Sequence, residues 1–220
     1  MSSAEEYGGA FAAAWMRRFG ESVLATENEL TQLDQQAGDG DFGSNLSSGL
    51  RLVLDRLAGL PDVPATPGEP LTAAAEVFLD QVGGTSGPLF GLLLEELADA
   101  AAQAPRLDAS TVRRGAEAGL AAIQRVGEAE PGDKTMVDAL TPAVVALEQV
   151  PDGTPLGQAF TAASEAAWDG VRNTTRLSAR RGRASYLGER ASGVPDPGAV
   201  GVGLLFSAAT EKVTRLPALH

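Results

Sequence analysis

Three aspartates fall within eight positions in the segment Leu33-Asp34-Gln35-Gln36-Ala37-Gly38-Asp39-Gly40-Asp41. Gly38 and Gly40 give the backbone conformations that a Cβ would block, so Asp39 and Asp41 can turn back toward Asp34. No lysine or arginine lies in the segment to neutralise them. Converging carboxylates repel one another unless a cation sits between them. Oxygen ligands without histidine or cysteine suit Mg²⁺ or Ca²⁺. The spacing is not that of an EF-hand loop, which takes ligands at alternate positions and closes on a glutamate. Mg²⁺ held by a few carboxylates and completed by phosphate fits better. The competing reading is a helix end and an Asp-Gly turn with solvated acids.

Other segments could handle phosphate. Gly43, Ser44 and Asn45 follow directly, at an expected helix start where free amides and the dipole favour an anion. Ser44 as an ordinary cap is the alternative. Gly83-Gly84-Thr85-Ser86-Gly87-Pro88 also precedes an expected helix, and Thr85 and Ser86 can bond phosphate oxygens. It is neither a Walker A loop nor a dinucleotide fingerprint, and by itself it reads as a turn. Pro131-Gly132-Asp133-Lys134-Thr135-Met136 is a second such turn. Lys134 is one of two lysines in the chain, and by itself it reads as a surface lysine. Arg176, Arg180, Arg181, Arg183 and Arg190 cluster with Glu189 as the only acid, in a chain of net charge −12. Guanidinium forks suit phosphate, though a solvated loop or a partner surface would have the same composition. Asp196-Pro197-Gly198 then punctuates the last helix.

These residues need helices to position them. The fraction of hydrophobic residues, 44%, supports a packed core, and it is rich in alanine and leucine with one isoleucine, Ile123. Phe11, Trp15, Phe19 and Val23 share one helical face. Thr26 and Glu29 read as a capping box that opens a second helix, which Gly38 and Gly40 stop. Phe42 to Leu57 gives a third, Leu71 to Val82 a fourth and Pro88 to Gln103 a fifth. A sixth, capped by Asp108 or Ser110, runs to Val126. A seventh covers Lys134 to Val150, an eighth Leu156 to Val171, and a last Ala199 to Thr214. No stretch alternates with period two. The expectation is one all-α domain over residues 1–220, a bundle of eight or nine helices.

Composition also excludes functions. An acidic chain is a poor partner for nucleic acid or anionic membranes. No apolar run approaches a membrane span, and no signal-peptide pattern opens the sequence, so cytoplasm is the expected compartment. With no cysteine, and with His220 as the only histidine, thiol chemistry and histidine-based triads are not expected.

In order along the chain, these motifs resemble the nucleotide-binding L subunit of the dihydroxyacetone kinase family. The match rests on Leu33-Asp34 with Gly38-Asp39-Gly40-Asp41, on Gly83 to Gly91, on Pro131 to Met136, on Arg181 to Arg190, and on Asp196-Pro197-Gly198-Ala199. The resemblance implies a barrel of eight antiparallel helices that holds ADP or ATP at one end through Mg²⁺. It makes Asp34, Asp39 and Asp41 metal ligands. Phe42, Gly43, Ser44, Asn45, Thr85, Ser86, Gly127, Met136, Arg183, Asp196, Pro197 and Gly198 would contact the nucleotide, with Met136 and nearby apolar residues on the base. Arg183 and Lys134 would steady the transferred group. Where the family has histidine after the second Gly-Asp pair, this chain has Phe42, whose side chain neither donates a hydrogen bond nor carries charge.

The resemblance further implies a substrate-binding K subunit as partner, because the substrate-holding histidine of that family has no counterpart here. A homodimer is also compatible. The donor would be ATP directly, or a phosphohistidine protein of the sugar phosphotransferase system acting on bound ADP. The acceptor would be dihydroxyacetone or a related keto-sugar. Two alternatives stand: a kinase subunit for another substrate, such as a carrier-bound fatty acid, and a nucleotide-binding regulatory module without turnover.

Overall fold

The computed structural model describes residues 7–181, 185 and 192–219, and among these every regular element is an α-helix. They are α1 (Gly9–Ala37), α2 (Phe42–Ala58), α3 (Gly68–Gln81), α4 (Ser86–Ala101), α5 (Ala109–Gly127), α6 (Val137–Gln149), α7 (Leu156–Thr174) and α8 (Pro197–Ser207). Each packs on the next in sequence, and α8 packs back on α1, so the helices close a ring. Short connections make neighbours antiparallel from α1 to α7, and the start of α8 lines the same cavity as the starts of α2 and α4. Odd-numbered helices therefore end, and even-numbered helices begin, at the same end of the barrel.

The two helices expected before Gly38 are one. Thr26 is buried inside α1, and its hydroxyl donates to the Ser22 carbonyl at 2.9 Å instead of capping a new helix. Tertiary burial of Trp15, Phe19, Val23 and Leu30 on one continuous face outweighs the local capping signal. The sixth helix starts as expected: Asp108 accepts from the Thr111 N–H at 2.7 Å. The seventh begins three residues later than expected, because Lys134 holds a left-handed φ of 62° that a helix cannot include.

The last helix stops at Ser207, not Thr214. All its residues from Pro197 to Ser207 are buried, as for a helix apolar on every side. Its end is tied to α1. Arg18 donates to the Ala208 and Ala209 carbonyls at 2.6 and 2.7 Å, and the Trp15 indole N–H donates to the Leu205 carbonyl at 2.7 Å. Beyond it the chain runs back along α1, where the Val213 N–H meets Ser22 Oγ and the Leu216 N–H meets Glu29. The aromatic centre joins Phe19, Phe78 and Phe90, with Phe90 about 6 Å from each. No described helix is long and apolar enough to cross a membrane.

Candidate functional site

A cavity opens at the end of the barrel where α2, α4, α6 and α8 begin. Its lining includes Phe42 and Asn45 from α2, Ser86 and Leu89 from α4, Met136 just before α6, and Pro197 and Gly198 of α8. Four helix N-termini thus face one space, each offering amides without an intrahelical partner and a positive dipole end. That is a setting for an anion with several charges.

The carboxylates stand on the same rim. Asp34, Asp39 and Asp41 can each place an oxygen within 4.8 Å of the others. Asp34 belongs to the last turn of α1 and is buried. Its Oδ2 accepts from the Phe42 N–H at 2.9 Å, which fixes the carboxylate across the turn. Its Oδ1 lies where a Cβ on residue 38 would be, so only glycine leaves that oxygen in place. Gly40 carries a φ of 83°, which turns Asp41 back toward the group. One carboxylate oriented by a backbone amide and three oxygens facing a common point suit a hard cation of the Mg²⁺ kind.

Asn45 borders the cavity, and its amide nitrogen lies beside Gly84. Gly43 packs against Glu27 and Thr31 of α1, and the Ser44 hydroxyl donates to the Asp41 carbonyl at 2.9 Å. Neither lines the cavity. Phe42 contributes its backbone to the site, while its ring points inward to Gly201 of α8. Thr85 is exposed and Ser86 half-buried at the start of α4, and Gly127 lies on the rim beside Leu89. Arg183 lies outside the described residues. Arg181 is described, lines the cavity, and pairs loosely with Asp133 at 3.4 Å and Glu128 at 3.6 Å.

Lys134 borders the cavity. It is 1% exposed, so it is no surface lysine. Its Nζ donates to the carbonyls of Thr174 and Val194 at 2.5 and 2.6 Å. Burial lowers its pKa, an effect opposed by the charges of Asp196 and Asp138.

Sequence reasoning missed Asp138. Its two oxygens accept from the Gly132 and Thr135 N–H groups at 2.6 and 2.8 Å, bracing the turn before α6. Thr135-Met136-Val137-Asp138 is a Thr-x-x-Asp capping signal that could have revealed it. The apolar wall of Leu46, Val82, Leu89, Ile123 and Ala129 was also not picked out. With Met136 it forms a surface suited to a flat base.

Asp196 caps α8, accepting from the Ala199 N–H at 2.7 Å. Burial pushes its carboxyl up to about 7, partly offset by that hydrogen bond and by Lys134, and reinforced by Asp138 and Asp34. The folded state therefore keeps a proton that the unfolded chain releases above its ordinary value of 3.8. Without metal or nucleotide, this group's stabilising contribution is complete below that value. It falls as pH rises to about 7, with a slope of at most about 1.4 kcal/mol per pH unit. Asp196→Asn, which keeps an acceptor for Ala199, is expected to flatten this part of the melting-temperature profile between pH 4 and 7. An unchanged slope in the variant would contradict the assignment.

Comparison with known proteins follows the same line. A family model described as the DAK2 domain matches residues 36–211. The chain belongs to the DAK2 domain family. This DAK2 chain is 38% identical over 190 residues to the ADP-binding subunit DhaL of the PEP-dependent dihydroxyacetone kinase of Escherichia coli, covering 86% of this chain and 89% of that one. It is 38% identical over 202 residues to L-erythrulose 1-kinase of Mycolicibacterium smegmatis, covering 92% of this chain but 35% of that protein. The solved dihydroxyacetone kinase of C. freundii in complex with AMP-PNP and Mg²⁺ superposes with a TM-score of 0.69 at 25% identity, over 96% of this chain and 36% of that one. The DAK2 chain therefore spans about a third of the larger kinases and nearly all of the ADP-binding subunit.

Proposed function

We propose that this DAK2 chain is the nucleotide-holding part of a dihydroxyacetone-type kinase, binding ADP or ATP with Mg²⁺ and passing a phosphoryl group to a short keto-sugar held by a separate substrate-binding subunit. The observation that carries this reading is the meeting of opposite charges: three carboxylates and four helix N-termini border one cavity. A cation and a polyanion bound together satisfy both, and neither alone does. The relatives named as kinases support the same chemistry.

Asp34, Asp39 and Asp41 would hold Mg²⁺, which when bound neutralises phosphate charge and makes the terminal phosphorus a better electrophile. The amides at Ser86 and Gly198, with the hydroxyls of Thr85 and Ser86, orient the phosphate oxygens. Met136, Leu89 and Ile123 exclude water around the base. No side chain of this chain has to form a covalent intermediate, because positioning and charge stabilisation carry most of phosphoryl transfer. The acceptor would approach from the open mouth, on the partner. Relatives named for dihydroxyacetone and for erythrulose favour a three- or four-carbon ketose as that acceptor.

Reconstitution tests the reading. The chain is mixed with a K-type substrate-binding subunit and given either Mg·ATP, or ADP with a phosphohistidine donor system. Phosphorylation of dihydroxyacetone or erythrulose that requires this chain is the expected result. Tight nucleotide binding without transfer to any ketose would favour a regulatory module.

A further inference from the structure

Lys134 is buried, borders the cavity and is held in an unfavourable backbone conformation, and two of the three donors of its ammonium group go to carbonyl oxygens. A left-handed φ of 62° on a residue with a Cβ is unfavourable and persists only where its surroundings fix it. The two acceptors come from distant parts of the chain. Thr174 is the last residue of α7, and Val194 lies two residues before the cap of α8. A single ammonium group therefore joins the end of one helix to the approach of the next.

Further bonds converge on the same joint. The Asp196 N–H donates to Thr174 Oγ1 at 2.9 Å, so the residue that Lys134 grips also holds the cap of α8. The Gly193 N–H donates to the Thr175 carbonyl at 3.0 Å. On the other side, the Arg180 N–H donates to the Asp133 carbonyl at 3.0 Å, next to Lys134 itself. Gly198 in turn packs beside Met136, on the apolar side of the cavity.

We infer that Lys134 is a positioning residue for the nucleotide site: through Thr174 and Val194 it fixes the first turn of α8 against Met136, and it does not contact phosphate. The inference rests on the cavity being a nucleotide site. Its structural half holds without any ligand. A direct phosphate ligand would keep its donors aimed into the cavity, whereas two of these three hold backbone carbonyls. Supporting groups of this kind govern site geometry as strongly as the groups that touch the ligand.

The test uses the whole chain and the variants Lys134→Met, Lys134→Gln, Lys134→Arg and Thr174→Val. In ligand-free protein, amide hydrogen exchange is followed at Asp196 and Ala199. Lys134→Met is expected to speed exchange there by about tenfold or more, with α3 to α5 unchanged, because two buried carbonyls lose a charged donor. Mg·ADP affinity should fall by a similar factor. Lys134→Arg, which keeps the charge but whose planar head does not fit the two-carbonyl grip, should not restore it. Should Lys134→Met fail to fold, Lys134→Gln carries the test, since its amide can donate to the carbonyls without the charge and should loosen exchange and affinity together. Thr174→Val, which removes the hydroxyl between the Val171 carbonyl and the Asp196 N–H but leaves both acceptors of Lys134, reads the Thr174–Asp196 bond alone.

Unchanged exchange at Asp196 and Ala199 in a folded variant would overturn the inference. So would full rescue of ADP affinity by arginine, which is the behaviour of a phosphate ligand. Loosened exchange in a protein whose wild type binds no ADP would instead defeat the nucleotide reading and leave the tether standing.

Discussion

Asp39→Ala is expected to abolish Mg²⁺-dependent ADP binding while leaving the helical barrel intact. Asp39 is exposed on the turn between α1 and α2, so it contributes little to packing. Surface substitutions of this kind shift stability by about 0.5 kcal/mol or less. Its carboxylate nevertheless offers one of the three oxygens that could hold a cation. Changing residues that merely support a metal ligand costs about 10–100-fold in affinity, so losing a ligand should cost about a hundredfold or more. Calorimetric titration of Mg·ADP against wild type and variant, with far-ultraviolet circular dichroism as the fold control, makes the comparison. A folded variant that binds Mg·ADP normally would remove Asp39 from the metal site.

The second large effect needs no change to any ligand. Gly38→Ala places a methyl group where Asp34 Oδ1 now lies, and Asp34 must swing away or the turn must open. The Asp34 carbonyl is also fixed, accepting from the Gly38 N–H at 2.6 Å, so the collision is not easily relieved by the backbone. Misplacing a reacting or coordinating group by about 1 Å can cost about a hundredfold. A loss of Mg·ADP affinity between tenfold and a hundredfold is therefore expected. Gly59→Ala, where the new methyl would meet only the Arg56 carbonyl at an ordinary 3.5 Å, serves as the control and should bind normally. Equal affinities for the two variants would show that the Asp34 position does not matter.

The meeting of the three aspartates was legible in the sequence because it is local. Asp34, Asp39 and Asp41 lie within one turn and its flanking helix ends, and two glycines between them announce the reversal of the chain. The starts of α2 and α4 were legible for the same reason, since Gly-rich turns precede apolar runs of helical period. What could not be read was set by distant partners. Lys134 stands in a turn that resembles a phosphate loop, and only the fold places the carbonyls of Thr174 and Val194 around it. For Ser44 the sequence left phosphate contact and ordinary capping side by side, and its hydroxyl donates to the Asp41 carbonyl.

The apolar wall is a similar case. Leu46, Leu89 and Ile123 lie on three separate helices and have the same pattern as core residues, so nothing in the sequence separates wall from core. The fold class followed from helical periodicity, but the boundary near Thr26 did not. A threonine three residues before a glutamate signals a helix start only if the chain is free to bend there, and burial against α8 and its neighbours keeps α1 straight.

Calorimetry on protein stripped of metal and nucleotide asks whether the carboxylates and the helix N-termini bind one Mg²⁺-nucleotide unit. ADP is titrated once with Mg²⁺ present and once with chelator. Near-equimolar binding that depends on Mg²⁺ is the result this account requires. Equal ADP binding with and without Mg²⁺, or none in either case, would contradict it and return Asp34, Asp39 and Asp41 to the role of a turn between two helices.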